Sequence, residues 1–130
     1  MSNLYQIYLI SDSTGETLDR IFLALKAQFK NFQYKTNHFS FTRTENQVLK
    51  ILEGCKKQKK TIILYTIVDD KLSKFLNNET AKIKIPCFSV LGDLIDSFSQ
   101  LLNQNALNVP SRQHIMNEEY YKKIDAIQFT

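Results

Sequence analysis

Two rhythms of apolar positions alternate along the chain. Short uninterrupted runs at residues 6–10, 61–68 and 85–91, and a looser one at 34–41 containing His38, Phe39 and Phe41, are rich in β-branched, aromatic and leucine side chains. Strands buried on both faces have that composition. Between the runs the spacing stretches to the helical i, i+3, i+4, i+7: Leu18, Ile21, Phe22 and Leu25, then Val48, Ile51, Leu52 and Cys55, then Leu72, Phe75 and Leu76. A fourth stripe, Leu94, Ile95, Phe98, Leu101 and Leu102, is expected on the inner face of its helix.

Punctuation sets the boundaries. Ser13 followed by Glu16 is a capping-box pattern, which starts the first helix near Ser13 or Thr14 and lets it run to about Lys30. Thr44 followed by Gln47 repeats the pattern, and Gly54 with the lysines after it is read as that helix's end. Asp69 and Asp70 open a third helix that continues towards Lys82, Pro86 sits at the start of the fourth strand, and Gly92 turns the chain into the fourth helix. Four β-α units predict an α/β fold: an open, mostly parallel sheet of about four strands with helices on both faces and right-handed crossovers. This domain takes residues 1–105. Residues 106–130 read as a polar linker and a C-terminal helix that begins at Asn117 or Glu118, carries Tyr121, Ile124 and Ile127 as its apolar face, and reaches Thr130 without a C-cap. A helix still amphipathic there suggests a natural chain that continues.

Composition narrows the function classes. The 130 residues suffice for a single core, and 43 % hydrophobic with 23 % charged residues is the balance of a soluble globular protein. The net charge of +4 owes much to Lys56, Lys57, Lys59 and Lys60, crowded into one loop without interleaved aromatics, which argues against a nucleic-acid platform. No apolar stretch approaches a membrane span and no leader pattern precedes the first strand, so no membrane partner and a cytoplasmic location are expected. Cys55 and Cys87 lack ligand spacing and are expected as buried, reduced thiols, with no metal site.

The chemistry gathers where the first strand breaks into Ser11, Asp12, Ser13, Thr14, Gly15, Glu16 and Thr17. A helix amino terminus beyond a strand tip, with hydroxyls and a glycine that admits close approach, is a candidate anion site. Neither G-x-G-x-x-G nor G-x-x-x-x-G-K-[ST] is present, so dinucleotide and Walker-type binding are not indicated. Asp12 at a strand tip calls for a hydrogen bond, a cation or a proton donor. In a parallel sheet residues 42–44, 66–70 and 92–93 fall on the same rim. Arg43 there has two readings: a bidentate anchor for phosphate or carboxylate, or a structural pair for Asp12 or Asp69. His114, in the polar linker, is either exposed or an acid-base group. By architecture alone a flavodoxin-like or response-regulator-like domain is an alternative, although Asp12 stands single where a response regulator needs an acidic pair.

The run Ile10-Ser11-Asp12-Ser13-Thr14-Gly15-Glu16-Thr17-Leu18, the Phe41-Thr42-Arg43-Thr44 rim, Tyr65-Thr66-Ile67-Val68-Asp69, Ile85-Pro86-Cys87 with Leu91-Gly92, and His114 followed by Tyr120-Tyr121-Lys122-Lys123-Ile124-Asp125-Ala126-Ile127 resemble the regulatory proteins of pyruvate, phosphate dikinase and phosphoenolpyruvate synthetase. The resemblance covers essentially the whole chain. It implies a bifunctional serine/threonine kinase and pyrophosphorylase that uses ADP to phosphorylate a threonine of its target and removes that phosphate with inorganic phosphate, giving pyrophosphate. It further implies the dikinase or the synthetase as protein partner, with a homodimer expected. Members of that family are about twice this length, and their second half carries the P-loop that handles ADP or ATP with Mg²⁺. No catalytic residue is therefore assigned here, no cofactor is expected on this chain, and it is expected to be inactive alone. A stand-alone anion- or protein-binding module without catalysis is the alternative.

Overall fold

The computed structural model describes residues 4–107; His114 and the expected C-terminal helix lie outside them. The elements follow as β1 (Tyr5–Ser11), α1 (Glu16–Lys26), β2 (Tyr34–Phe39), α2 (Glu45–Lys56), β3 (Thr61–Thr66), α3 (Asp70–Lys82), β4 (Cys87–Ser89) and α4 (Gly92–Leu102). The strands form one open parallel sheet in the order β2-β1-β3-β4, so the α/β prediction holds.

Alternation along β1 and β3 divides the core into two layers. Tyr8, Ile10, Ile63 and Tyr65 pack with Val48, Ile51, Leu52 and Cys55 of α2 and Leu72 and Leu76 of α3. Ile7, Leu9 and Leu64 point to the opposite face and meet Leu18 and Phe22 of α1. β1 is thus buried on both faces and paired along both edges, which is why its sequence reads as an unbroken apolar run. Burial pushes the Cys55 thiol up to about 12 and Cys87 to about 11, so both stay protonated at neutral pH.

Several boundaries differ from the sequence reading, each for a non-local reason. α1 begins at Glu16 rather than near Ser13 or Thr14, because the Ser13 amide bonds to Ser11 Oγ and its carbonyl accepts from the Phe41 amide. It ends at Lys26, not Lys30, as Gln28 and Phe29 reach back only three residues and tighten the chain into turns. Strand β2 stops at Phe39 because Phe41, at φ 53°, turns the chain away. Gly54 lies inside α2 against the Tyr8 hydroxyl and does not end it. β4 is only three residues long, although the Ile63 amide to Pro86 and the Val90 amide to Tyr65 extend its hydrogen bonding. His38, within the 34–41 run, is half-exposed, its Nε2 2.9 Å from Asp19 Oδ1.

The largest correction concerns α4. Leu94, Phe98, Leu101 and Leu102, expected to face inward, are all exposed, and α4 has no buried residue. Its stripe is real, but among residues 4–107 nothing covers it. Urea unfolding should separate the two kinds of leucine. Leu76→Ala, at a fully buried α3 position, is expected to cost about 2–5 kcal/mol. Leu101→Ala, 80 % exposed, should stay within about 0.5 kcal/mol.

Candidate functional site at the strand rim

The chain leaves β1 for β2 on one side and later returns to β3 on the other, so strand order reverses at β1. In an open α/β sheet the crevice past the strand ends at such a point is the place for a ligand. Residues 11–15 occupy it, stitched to both neighbours. On the β2 side the Thr42 amide donates to the Ser11 carbonyl (2.9 Å), the Phe41 amide to Ser13 (2.9 Å) and Ser40 Oγ to the Thr14 carbonyl (2.9 Å). Towards β3 the Asp12 amide donates to the Thr66 carbonyl at 3.1 Å.

The side chains at this tip are polar and buried. Ser11 Oγ accepts from Thr66 Oγ1 at 3.2 Å and from the Ser13 amide at 3.1 Å. Asp12, 4 % exposed, accepts from the Val68 amide through Oδ2 at 2.9 Å, bracing the β3–α3 connection. Burial raises its pKa above the ordinary carboxylate value; the Val68 hydrogen bond, its own amide and the Arg43 charge pull the other way, and Asp69 adds to the rise. Arg43 Nε donates to the Asp12 carbonyl at 2.9 Å, and its guanidinium lies 5.4 Å over the Phe41 ring at the exposed edge of the loop. Arg43 is thus tied to the main chain of Asp12, through its carbonyl oxygen.

Gly15, at φ 88°, is the N-cap of α1, and the first helical bond runs from the Asp19 amide to the Gly15 carbonyl. The amides of Thr17 and Leu18 therefore have no acceptor among the described residues at the positive end of the helix dipole. Thr14 Oγ1 accepts only a long 3.5 Å bond from the Glu16 amide; Glu16 and Thr17 are exposed beside it. Asp69 caps α3, accepting from the Lys71 amide at 3.2 Å. The rim thus gathers Ser11 to Thr17 and Arg43, with Asp69 close enough to influence Asp12.

Sequence reasoning missed Ser40 and Gln47 as parts of the site. Gln47 Oε1 accepts from the amides of Arg43 (2.6 Å) and Thr44 (3.0 Å), while its Nε2 donates to the Phe41 carbonyl. The capping-box pattern was the available signal, and that capping box is present. Among the described residues no group of three or more His, Cys, Asp or Glu is placed to hold a metal ion, and no helix is long and apolar enough to cross a membrane.

Two predictions follow from this geometry. A Cβ at Gly15 would meet Ser11 and Ser40 only at 3.7 Å, so the penalty is conformational. Gly15→Ala should lower stability by about 1–2 kcal/mol, and Gly15→Asn by less, since Asn tolerates positive φ. Asp12 has a raised pKa when folded, so the native state holds this proton more tightly and stability drains away as pH rises from the ordinary carboxylate range through the folded pKa. Asp12→Asn keeps the acceptor for Val68 and removes that loss. Its melting temperature should exceed the parent's at pH 7, and the gap should close towards about pH 4.

Comparison with known proteins identifies relatives of the chain. A family model described as kinase/pyrophosphorylase matches residues 7–130. A Pelagibacter ubique protein named as a pyruvate, phosphate dikinase regulatory protein is 68 % identical over 130 residues, which is 100 % of this chain and 47 % of that protein. A Brucella anthropi protein named in the same way is 38 % identical over 126 residues, 97 % of this chain and 45 % of its own length. A Brucella ovis protein of that name is 37 % identical over 125 residues, 96 % of this chain and 44 % of its own. The chain spans about half the length of these curated relatives. With the family model covering all but the first six residues, the chain belongs to the kinase/pyrophosphorylase family.

Proposed function

We infer that this chain is the amino-terminal domain of a cytoplasmic enzyme that phosphorylates a threonine of pyruvate, phosphate dikinase at the expense of ADP and reverses the modification with inorganic phosphate. Within it, the rim of Ser11 to Thr17 with Arg43 binds an anion, either phosphate or the phosphorylated residue of the target. The family match and the relatives' names support the reaction class and the target. The observation that carries the role of the rim is the buried polar cluster at the switch point, on which Arg43 is anchored and after which α1 starts with the Thr17 and Leu18 amides unpaired among the described residues.

Phosphoryl transfer is mostly positioning and charge neutralisation. The main-chain stitching of residues 11–15 to both neighbouring loops supplies the first: the amides of Thr17 and Leu18 are held in place before an anion arrives. Arg43 supplies the second, its Nε anchored to Asp12 and its guanidinium at the rim. Asp12 acts from beneath as a positioning residue through Val68. The described residues do not fit a nucleotide with Mg²⁺: there is no phosphate-cradling glycine loop with its lysine and no carboxylate cluster for the ion. The nucleotide belongs on the remaining half of the full-length protein, and this domain is inactive without it.

The test pairs an assay with a titration. In the full-length protein Arg43→Ala should depress both phosphorylation and dephosphorylation of the target threonine, followed by mass spectrometry, by roughly ten- to a hundredfold, the scale of one charge-assisted hydrogen bond. Inorganic phosphate added to the 130-residue chain should shift the amide resonances of Gly15, Thr17 and Leu18. Unmoved amides together with an unimpaired Arg43→Ala enzyme would show that the loop does no more than dock against the other half.

A further inference from the structure

The charges are sorted along the strand direction. The rim end carries Asp12, Glu16, Asp69 and Asp93, while the connections that enter β3 and β4 at the opposite end carry Lys56, Lys57, Lys59, Lys60, Lys82 and Lys84. β3 and β4 are parallel neighbours, with Ile63 opposite Cys87, and α2 and α3, which deliver the chain to them, pack into the same core layer. Six lysines from two separate connections therefore share one end of the sheet, and all six are exposed.

Capping the helix dipoles does not account for them. A helix carboxyl end offers about half a negative charge, which one lysine answers. Residues 56–60 and 82–86 contain no Asp or Glu, and the acids nearest in sequence are Glu53 and Glu79. Glu79 pairs with Lys82 at 2.7 Å and Lys60 lies 5.6 Å over the Tyr5 ring, so the patch stays positive. The backbone adds an independent sign. Lys60 and Lys84 each stand three residues before the paired Ile63 and Cys87, and both hold left-handed backbones, at φ 56° and 57°. Glycine or asparagine suits such a position better. Lysine at both equivalent places keeps a charge where conformation alone would favour another residue.

We propose that this end of the sheet is a docking surface for a carboxylate-rich segment of a partner protein. Charge complementarity selects an anionic partner, and the residue types narrow it. All six cations are lysines, compact ammonium groups; none is an arginine, whose planar fork suits phosphate. Residues 56–60 and 82–86 hold no aromatic ring on which a base could stack, and no exposed large apolar side chain that could enter a lipid surface. Exposed glutamates and aspartates ask for neither. The surface lies about 20 Å from the rim, the length of the six-residue β3, so a partner held there leaves Ser11 to Thr17 open. Docking here does not depend on what the rim binds.

Fluorescence anisotropy of a labelled decaglutamate peptide, titrated with the 130-residue chain, provides the test. Binding should saturate, weaken as ionic strength rises from about 0.05 to 0.3 M, and shift the amide resonances of residues 56–60 and 82–85 but not those of 11–17. Lys57→Gln, Lys59→Gln and Lys84→Asn combined should weaken it roughly tenfold. The melting temperature of that variant should match or exceed the parent's, because asparagine tolerates the left-handed backbone at residue 84. Lys50→Gln, Lys71→Gln and Lys74→Gln together remove the same charge elsewhere and should leave the affinity within about twofold. Equal weakening by the two triple variants, tighter binding to an oligothymidylate of equal charge or to phosphatidylserine vesicles than to the peptide, or no binding at low salt would each overturn the docking surface.

Discussion

The two-sided hydrogen bonding of β1 is the constraint on which the rest of this molecule depends. The strand pairs with β2 along one edge and β3 along the other, and the pairing does not stop at its end: the backbone of Ser11, Asp12 and Ser13 is bonded to Thr42, Thr66 and Phe41 in turn. A buried peptide group must find a partner. Here the partners are supplied by two different connections, so the conformation of the loop is set by the sheet rather than by its own sequence. The helix that follows is placed by the same bonds, and with it the direction of its first amides.

That division explains what could be read from the residues. The strand interiors and the stripes of α1, α2 and α3 were legible because burial on two faces or on one stripe leaves a periodic trace. Caps at Thr44 and Asp69 were legible because their bonds are local. Ser13 carried the same local signature and does not cap, since Ser11 and Phe41 compete for its backbone from outside the segment. Nothing in the sequence marks Phe41 for a positive φ, or Ser40 for a bond to Thr14. The stripe on α4 shows how far periodicity goes: it tells which face wants cover and is silent on where the cover comes from.

The rim concentrates what a stable domain would avoid. Asp12 is a carboxylate out of water, Gly15 holds a conformation that other residues resist, and Phe41 takes a left-handed backbone with its ring half in solvent. Strain and burial of this kind collect at sites of function, where the surrounding structure has to hold them. The holding groups are identifiable: Val68 on Asp12, and Gln47 across Phe41, Arg43 and Thr44.

The strand order has a consequence for how the domain comes into being. Gln6 pairs with Thr61 in the finished sheet, so β1, the first of the four described strands to be synthesised, waits for residues more than fifty positions later before its second edge is closed. Until then Ile7 to Ile10 can pair only with β2, and Asp12 has neither the Thr66 carbonyl nor the Val68 amide. The rim cannot exist in a half-made sheet. Its appearance on the ribosome, or its loss when β3 frays, is all-or-none with the centre of the fold, which makes any ligand of the loop a reporter of the completed domain.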